Sequence, residues 1–207
     1  MLDLPLVGNE RGRCRCNLSR RRARPVPTRP GSTFGLGDHA AAYELLEQGL
    51  AVQREIGNRY LSDTLDALGR ATWTLGRATE AEAHFRDSLA LARVQGARWE
   101  AAFCLEGLAA IDLAAGRAGR AARLLAAAAA LRTELGSALS PAERADFESK
   151  VAAARAALDE AGFAAALAGG RTMTLEQAID DALTGGPPHR PPTALRRRRG
   201  PSGNAIG

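Results

Sequence analysis

The residues from which a reactive centre would be built are three histidines, three cysteines and a supply of acids, and none of them falls into a working constellation. His39, His84 and His189 lie far apart in the chain. His84 stands four residues after Glu80 and three before Asp87, a spacing that makes solvated ion pairs on a helix surface. Cys104 lies in an apolar stretch from Trp99 to Leu113 with no histidine following it nearby, so the spacing predicts a buried, inert thiol. Cys14-Arg15-Cys16 supplies half a metal site, because no second Cys/His pair stands at ligand spacing. No G-x-x-x-x-G-K-[ST] phosphate loop exists, since the sole lysine, Lys150, has no glycine near it. The acids form no recognisable catalytic pair. The expectation is therefore a protein with no catalytic residues, no metal and no cofactor.

The elements around these residues explain why none of them is arranged for chemistry. From Leu65 to Gly136 one two-helix pattern is written twice. The first copy reads Leu65, Leu68, Gly69, Leu75-Gly76-Arg77, Ala81, Phe85, Leu89, Ala92 and Gly96; the second reads Phe103, Gly107, Ala115-Gly116-Arg117, Ala121, Leu125, Ala129 and Gly136. Gly76 to Gly116 and Gly96 to Gly136 are each 40 residues apart, and Gly69 to Gly107 is 38, a period that marks a helical array. Within a copy, Ala78, Ala81, Phe85, Leu89 and Ala92 make one apolar stripe in steps of three and four. Thr79, Glu80, Glu82, Arg86, Asp87 and Arg93 lie off it, on a face expected to be wet. Gly76 and Gly116 suit the left-handed stop between helices. Gly69 and Gly107 fall inside helices, where glycine costs about 1 kcal/mol relative to alanine, so close helix crossing is expected there.

Ala42, Leu46, Leu50, Gln53 and Gly57 repeat this second-helix pattern 39 residues earlier. The helix that should precede them falls near residues 18 to 34, where prolines and an arginine run forbid it. The array thus reads as truncated at its N-terminal side, with fraying or self-association expected from the helix at 39 to 56. After Gly136 the register is lost. Ser140-Pro141-Ala142-Glu143 is a capping box that opens a helix to about Leu158, with Phe147, Val151, Ala154 and Leu158 on its apolar side. A short segment from Asp159 to Ala168 is expected to end at Gly169-Gly170. Thr174-Leu175-Glu176-Gln177 opens a last helix to about Leu183, and these helices are expected to close the C-terminal end of the array.

Composition separates the body from its ends. Residues 1–37 hold eight Arg against Asp3 and Glu10, and residues 187–207 hold five Arg and no acid. With the whole chain at +5, residues 38–186 carry −6, so the basic balance belongs to the tails. Both ends are rich in proline and glycine and are expected to be unfolded. Lys150 is the one lysine among 28 basic residues, which ties much of the arginine bias to GC-rich coding. Three cysteines form no closed disulfide set, no secretory segment is visible and no apolar run approaches the roughly 20 residues of a membrane span. A cytoplasmic, soluble protein is expected.

Leu68, Gly69, Gly76, Ala81 and Phe85 keep the spacing of a tetratricopeptide repeat, with Thr72 in place of the usual aromatic and Arg93 where proline is common. The longer unit resembles the repeat region of MalT-like regulators. Cys104-Leu105-Glu106-Gly107-Leu108-Ala109, Gly116-Arg117, Ala121-Ala122-Arg123-Leu124-Leu125, Leu131-Arg132, Ser140-Pro141-Ala142-Glu143-Arg144 and Thr174-Leu175-Glu176-Gln177-Ala178 resemble the C-terminal segment of actinobacterial signal-transduction ATPases of the LuxR type. The resemblance covers about residues 38–184. It implies a sensor region that follows a nucleotide-binding domain and receives an inducer or partner; the ATP and DNA functions of such proteins do not carry over, since neither motif is present.

The fold expected is all-α, an antiparallel helix-pair solenoid over residues 38–184 between unfolded basic tails at 1–37 and 185–207. Asp63, Asp66, Arg70 and Trp73 step along the side of their helix opposite the stripe Leu61, Leu65, Leu68, Thr72 and Leu75. The first helix of each tetratricopeptide pair faces the groove. The resemblance therefore implies that these four, with Cys104, Ile111 and Asp112 of the next unit, meet a protein or peptide partner, or a small inducer. The competing readings are nucleic-acid binding through Arg20 to Arg24 and Arg196 to Arg199, which salt would weaken steeply, and a non-functional gene fragment.

Overall fold

A computed structural model of the chain describes residues 38–56 and 60–184. The expected tails, the Cys14/Cys16 pair, the missing helix near residues 18 to 34 and the arginine runs all lie outside the described residues. Within them the chain is all-α: α1 (His39–Ile56), α2 (Leu61–Thr74), α3 (Ala78–Gln95), α4 (Arg98–Ala114), α5 (Ala118–Glu134), α6 (Pro141–Ala156), α7 (Glu160–Thr172) and α8 (Leu175–Thr184).

One turn, used four times, sets the array. Gly76, Gly96, Gly116 and Gly136 end α2 to α5 with φ of 76°, 67°, 74° and 62°, values that side chains on L-residues resist. The residue after each glycine donates its N–H back to a carbonyl in the last turn: Arg77 to Thr72, Ala97 to Ala92, Arg117 to Asp112 and Ser137 to Arg132. This satisfies carbonyls the helix would otherwise leave open, and reverses the chain every 20 residues. Successive helices then pack as neighbours from α1 to α5, and α2 also touches α4. The buried seam runs through Ala81, Phe85, Leu89, Leu105, Leu108, Leu124 and Leu125.

The two glycines inside helices serve a different purpose from the expected backbone approach. A Cβ on Gly69 would stand 2.7 Å from the Phe85 ring, and one on Gly107 would stand 2.5 Å from it. The ring of α3 lies in a slot whose walls are α2 and α4, so one aromatic locks three helices. Thr72, the departure from the usual aromatic, is buried and returns its hydroxyl to its own helix, donating to the Leu68 carbonyl at 2.7 Å.

The C-terminal third departs from simple stacking. α6 starts on the expected capping box, with Glu143 N–H donating to Ser140 Oγ and Ser140 N–H to Glu143. α6 packs on α4 and α5. α7 does not stop at Gly169-Gly170; it runs through them to Thr172, and the glycine at 170 is there because the chain passes the Arg123 carbonyl of α5 so closely that no Cβ fits. α8 begins on the Thr174/Gln177 box and, instead of closing the end, turns back over α3, α4 and α5. Ala178, Ile179 and Ala182 enter the main seam. Part of the expected wet face of α3 is thereby covered, at Arg86 and Arg93, while Thr79 stays exposed. Arg86 is buried and donates to the Leu183 carbonyl, and Arg93 pairs with Glu176 at 2.6 Å and Asp180 at 2.5 Å. From α5, Arg120 donates to the Ala182 carbonyl at 2.7 Å and Arg123 pairs with Asp181. Two guanidinium groups thus meet the carbonyls at the negative end of α8.

Candidate interaction surface

The adjacency of α2 and α4 brings some of the residues singled out from the sequence together and buries others. Asp63, Arg70 and Trp73 are half-buried, at the boundary between core and surface. Asp66, Cys104, Ile111 and Asp112 are buried, so their side chains act on the fold and a partner resting on this face does not reach them. Ile111 belongs to the main seam. Asp112 holds the α4–α5 turn, accepting from Arg117 at 2.7 Å and pairing with Arg120 at 3.4 Å.

Cys104 bridges three helices. Its thiol lies 3.1 Å from Ser88 Oγ of α3, and that hydroxyl donates to the Ser62 carbonyl of α2 at 2.6 Å. Burial pushes the thiol well above its ordinary range, with the nearby Asp66 carboxylate adding to the shift. A thiol so protonated is a poor nucleophile. Asp66 pairs with Arg70 at 3.2 Å, yet burial outweighs that cation and raises the carboxyl to about 6. Asp63 is also raised, by burial and by Glu100 across the α2–α4 boundary.

What the spacing argument missed is the aromatic part of this face. Trp99 and Phe103, one turn apart on α4, stack with ring centroids 6.0 Å apart. The Arg70 guanidinium lies 5.0 Å from the Phe103 ring centre and the Arg132 guanidinium 4.3 Å from it. Arg132 in turn donates through Nε to Glu106 at 2.6 Å in a buried pair. A ladder therefore crosses from α2 over α4 to α5 and returns to α4, in the order Asp66, Arg70, Phe103, Arg132, Glu106. Stacked cations of this kind are worth about 0.5–2 kcal/mol each and hold the guanidinium groups in place. The i, i+4 spacing of Trp99 and Phe103 was a signal in the sequence; Arg132, 26 residues from Glu106, gave none.

Of the three histidines, His189 lies outside the described residues. His84 is half-buried, not on a wet face; burial lowers its pKa against the pull of Glu47, Glu80 and Asp87. Among the described residues no three of His, Cys, Asp and Glu gather as a metal site, and no helix is long and apolar enough to cross a membrane.

Residues 32–93 match the family model described as tetratricopeptide repeat, so this part of the chain is a tetratricopeptide-repeat region. Repeats of this family build helical scaffolds that carry protein–protein interaction. No curated protein and no solved structure matches the chain.

Proposed function

We propose that residues 38–184 are a non-catalytic helical-repeat module that receives a protein or peptide partner, or an inducer, on the α2–α4 face. The observation that carries this reading is the cation–aromatic ladder. Arg70, Phe103 and the exposed Trp99 are fixed by stacking beside Asp63 and Trp73 before any partner arrives. Aromatic and arginine side chains already held in one geometry lose little entropy on binding, which is why they dominate the energetics of interfaces. The sequence resemblance to the sensor segment of STAND-type LuxR regulators supports a place for the module beside a nucleotide-binding domain, in the cytoplasm. Asp66, Cys104, Ile111 and Asp112 support the face from behind in this reading, and Asp63, Arg70 and Trp73 touch the partner.

The test compares the full chain with the Arg70→Ala/Trp73→Ala variant as bait in extract of the source organism. A protein held by the first, lost at least about tenfold by the second and retained after removal of residues 1–37 and 185–207 supports the face. An identical captured set for both baits overturns it.

A further inference from the structure

Beyond that face, the geometry points to a binding site for a carboxylate on a small apolar body, in the cleft between the end of α5, the 135–140 connection and the first turns of α6. The cleft has a volume of about 400 Å³ and is lined by Ala129, Arg132, Thr133, Leu139, Arg144 and Phe147 among others. Its construction is specific. The left-handed Gly136 turns the chain so that Ser137 N–H donates to the Arg132 carbonyl at 3.0 Å, which holds the serine beside that arginine. On the other side the Ser140/Glu143 capping box fixes the start of α6, and Phe147 one turn on supplies an apolar wall.

Two polar groups in this wall lack what they need. Arg132 is 5 % exposed; its Nε is taken by Glu106 and its face by Phe103, while Nη2 has no hydrogen-bond partner. Ser137 Oγ is likewise buried without a partner. A buried donor left open costs about 1–3 kcal/mol, more on a charged group, so two such groups on residues that line one cleft call for an acceptor. Glu106 offsets the charge of Arg132, and at the start of α6 Arg144 stands beside Glu143, whose carboxyl the Ser140 hydrogen bonds and the charge of Arg132 hold below its usual range, so the cleft suits at most a single negative charge and not a phosphate dianion. Leu139, Phe147 and Ala129 then require that the acid carry an apolar group. A free small organic acid and the C-terminus of a peptide ending in an apolar residue share this chemistry.

The experiment follows backbone amide signals of Ser137, Ala138 and Leu139 in the full chain by NMR. The probes are phenylacetate and its amide, and the peptide acetyl-Gly-Ala-Phe with a free C-terminus and as its amide. The expected result is a saturable shift with at least one acid, weaker by about tenfold or more for the matching amide, the equivalent of about 1.4 kcal/mol. Arg144→Gln and Ser137→Ala, which leave the Arg132–Glu106 pair intact, should each weaken that acid severalfold, and which acid binds identifies the source. Acid and amide binding alike, or no saturable shift with either acid up to about 10 mM, overturns the site. Trp73→Ala should leave the shift unchanged, so the α2–α4 face and this cleft can fail separately.

Discussion

At the scale of single residues, Phe85 of α3 ties its two neighbouring helices together. Its ring occupies the slot between Gly69 and Gly107, so each glycine is a volume constraint. Alanine at position 107 would gain about 1 kcal/mol of helix propensity and lose about 1–3 kcal/mol to overpacking. We expect Gly107→Ala to lower the denaturant midpoint, and Gly107→Ala/Phe85→Leu to be less damaging than the sum of its parts, since the two sites share one space. Strict additivity in that cycle would contradict the slot. Asp66 gives a second residue-level prediction, with its sign fixed by burial. Its folded-state carboxyl titrates near 6 and the unfolded one near 3.9, so the folded chain holds the proton more tightly. The stabilisation is present below the unfolded value and is lost as pH rises through about 4 to 6, by roughly 3 kcal/mol. Thermal melts of the wild type against Asp66→Asn should show this slope in the first and its loss in the second.

At the scale of elements, the sequence was informative where the physics is local. Each left-handed glycine and both capping boxes act within five residues, and the helix ends they imply are the observed ones. The long-range placements were not legible. Nothing local says that Gly170 must slip past the Arg123 carbonyl, so a glycine pair that reads as a stop lies inside α7. Likewise Arg86, Arg93, Arg120 and Arg123 read as solvated charges until α8 is laid over them. The candidate face was only partly legible for the same reason: Arg70 and Trp73 are half-buried, with Trp73 packed against the main seam, while Asp66 and Asp112 are buried and pair with arginines that stay partly exposed. A prediction at this scale concerns α1, which rests chiefly on α2 and leaves Leu45 and Val52 exposed, whereas α5 is enclosed by α4, α6, α7 and α8. Amide hydrogen exchange should therefore be faster over residues 40–56 than over 118–134. Equal protection of the two would remove the picture of a loosely held first helix.

At the scale of the whole molecule, α8 changes how the array should unfold. A plain solenoid touches only its neighbours, so its stability is a sum of local terms and it can open from one end. Here Ile179 is fully buried among residues of α3 to α5, and Arg93 and Arg123 anchor the same helix from two different units. That strap ties the opening of the first pair to the opening of the second. Removing one buried isoleucine side chain costs about 2–5 kcal/mol, and removing the helix should cost the coupling as well. We expect urea unfolding of the full chain to be a single transition with a slope set by the whole buried surface. A chain ending at residue 174 should unfold at lower urea with a shallower or two-step curve, as α1 to α3 open ahead of α5 to α7. Ile179→Ala should lower the midpoint while keeping one transition, because the arginine contacts to the helix end remain. If truncation shifts the midpoint but leaves the slope unchanged, α8 is a stabilising patch and the units were coupled without it.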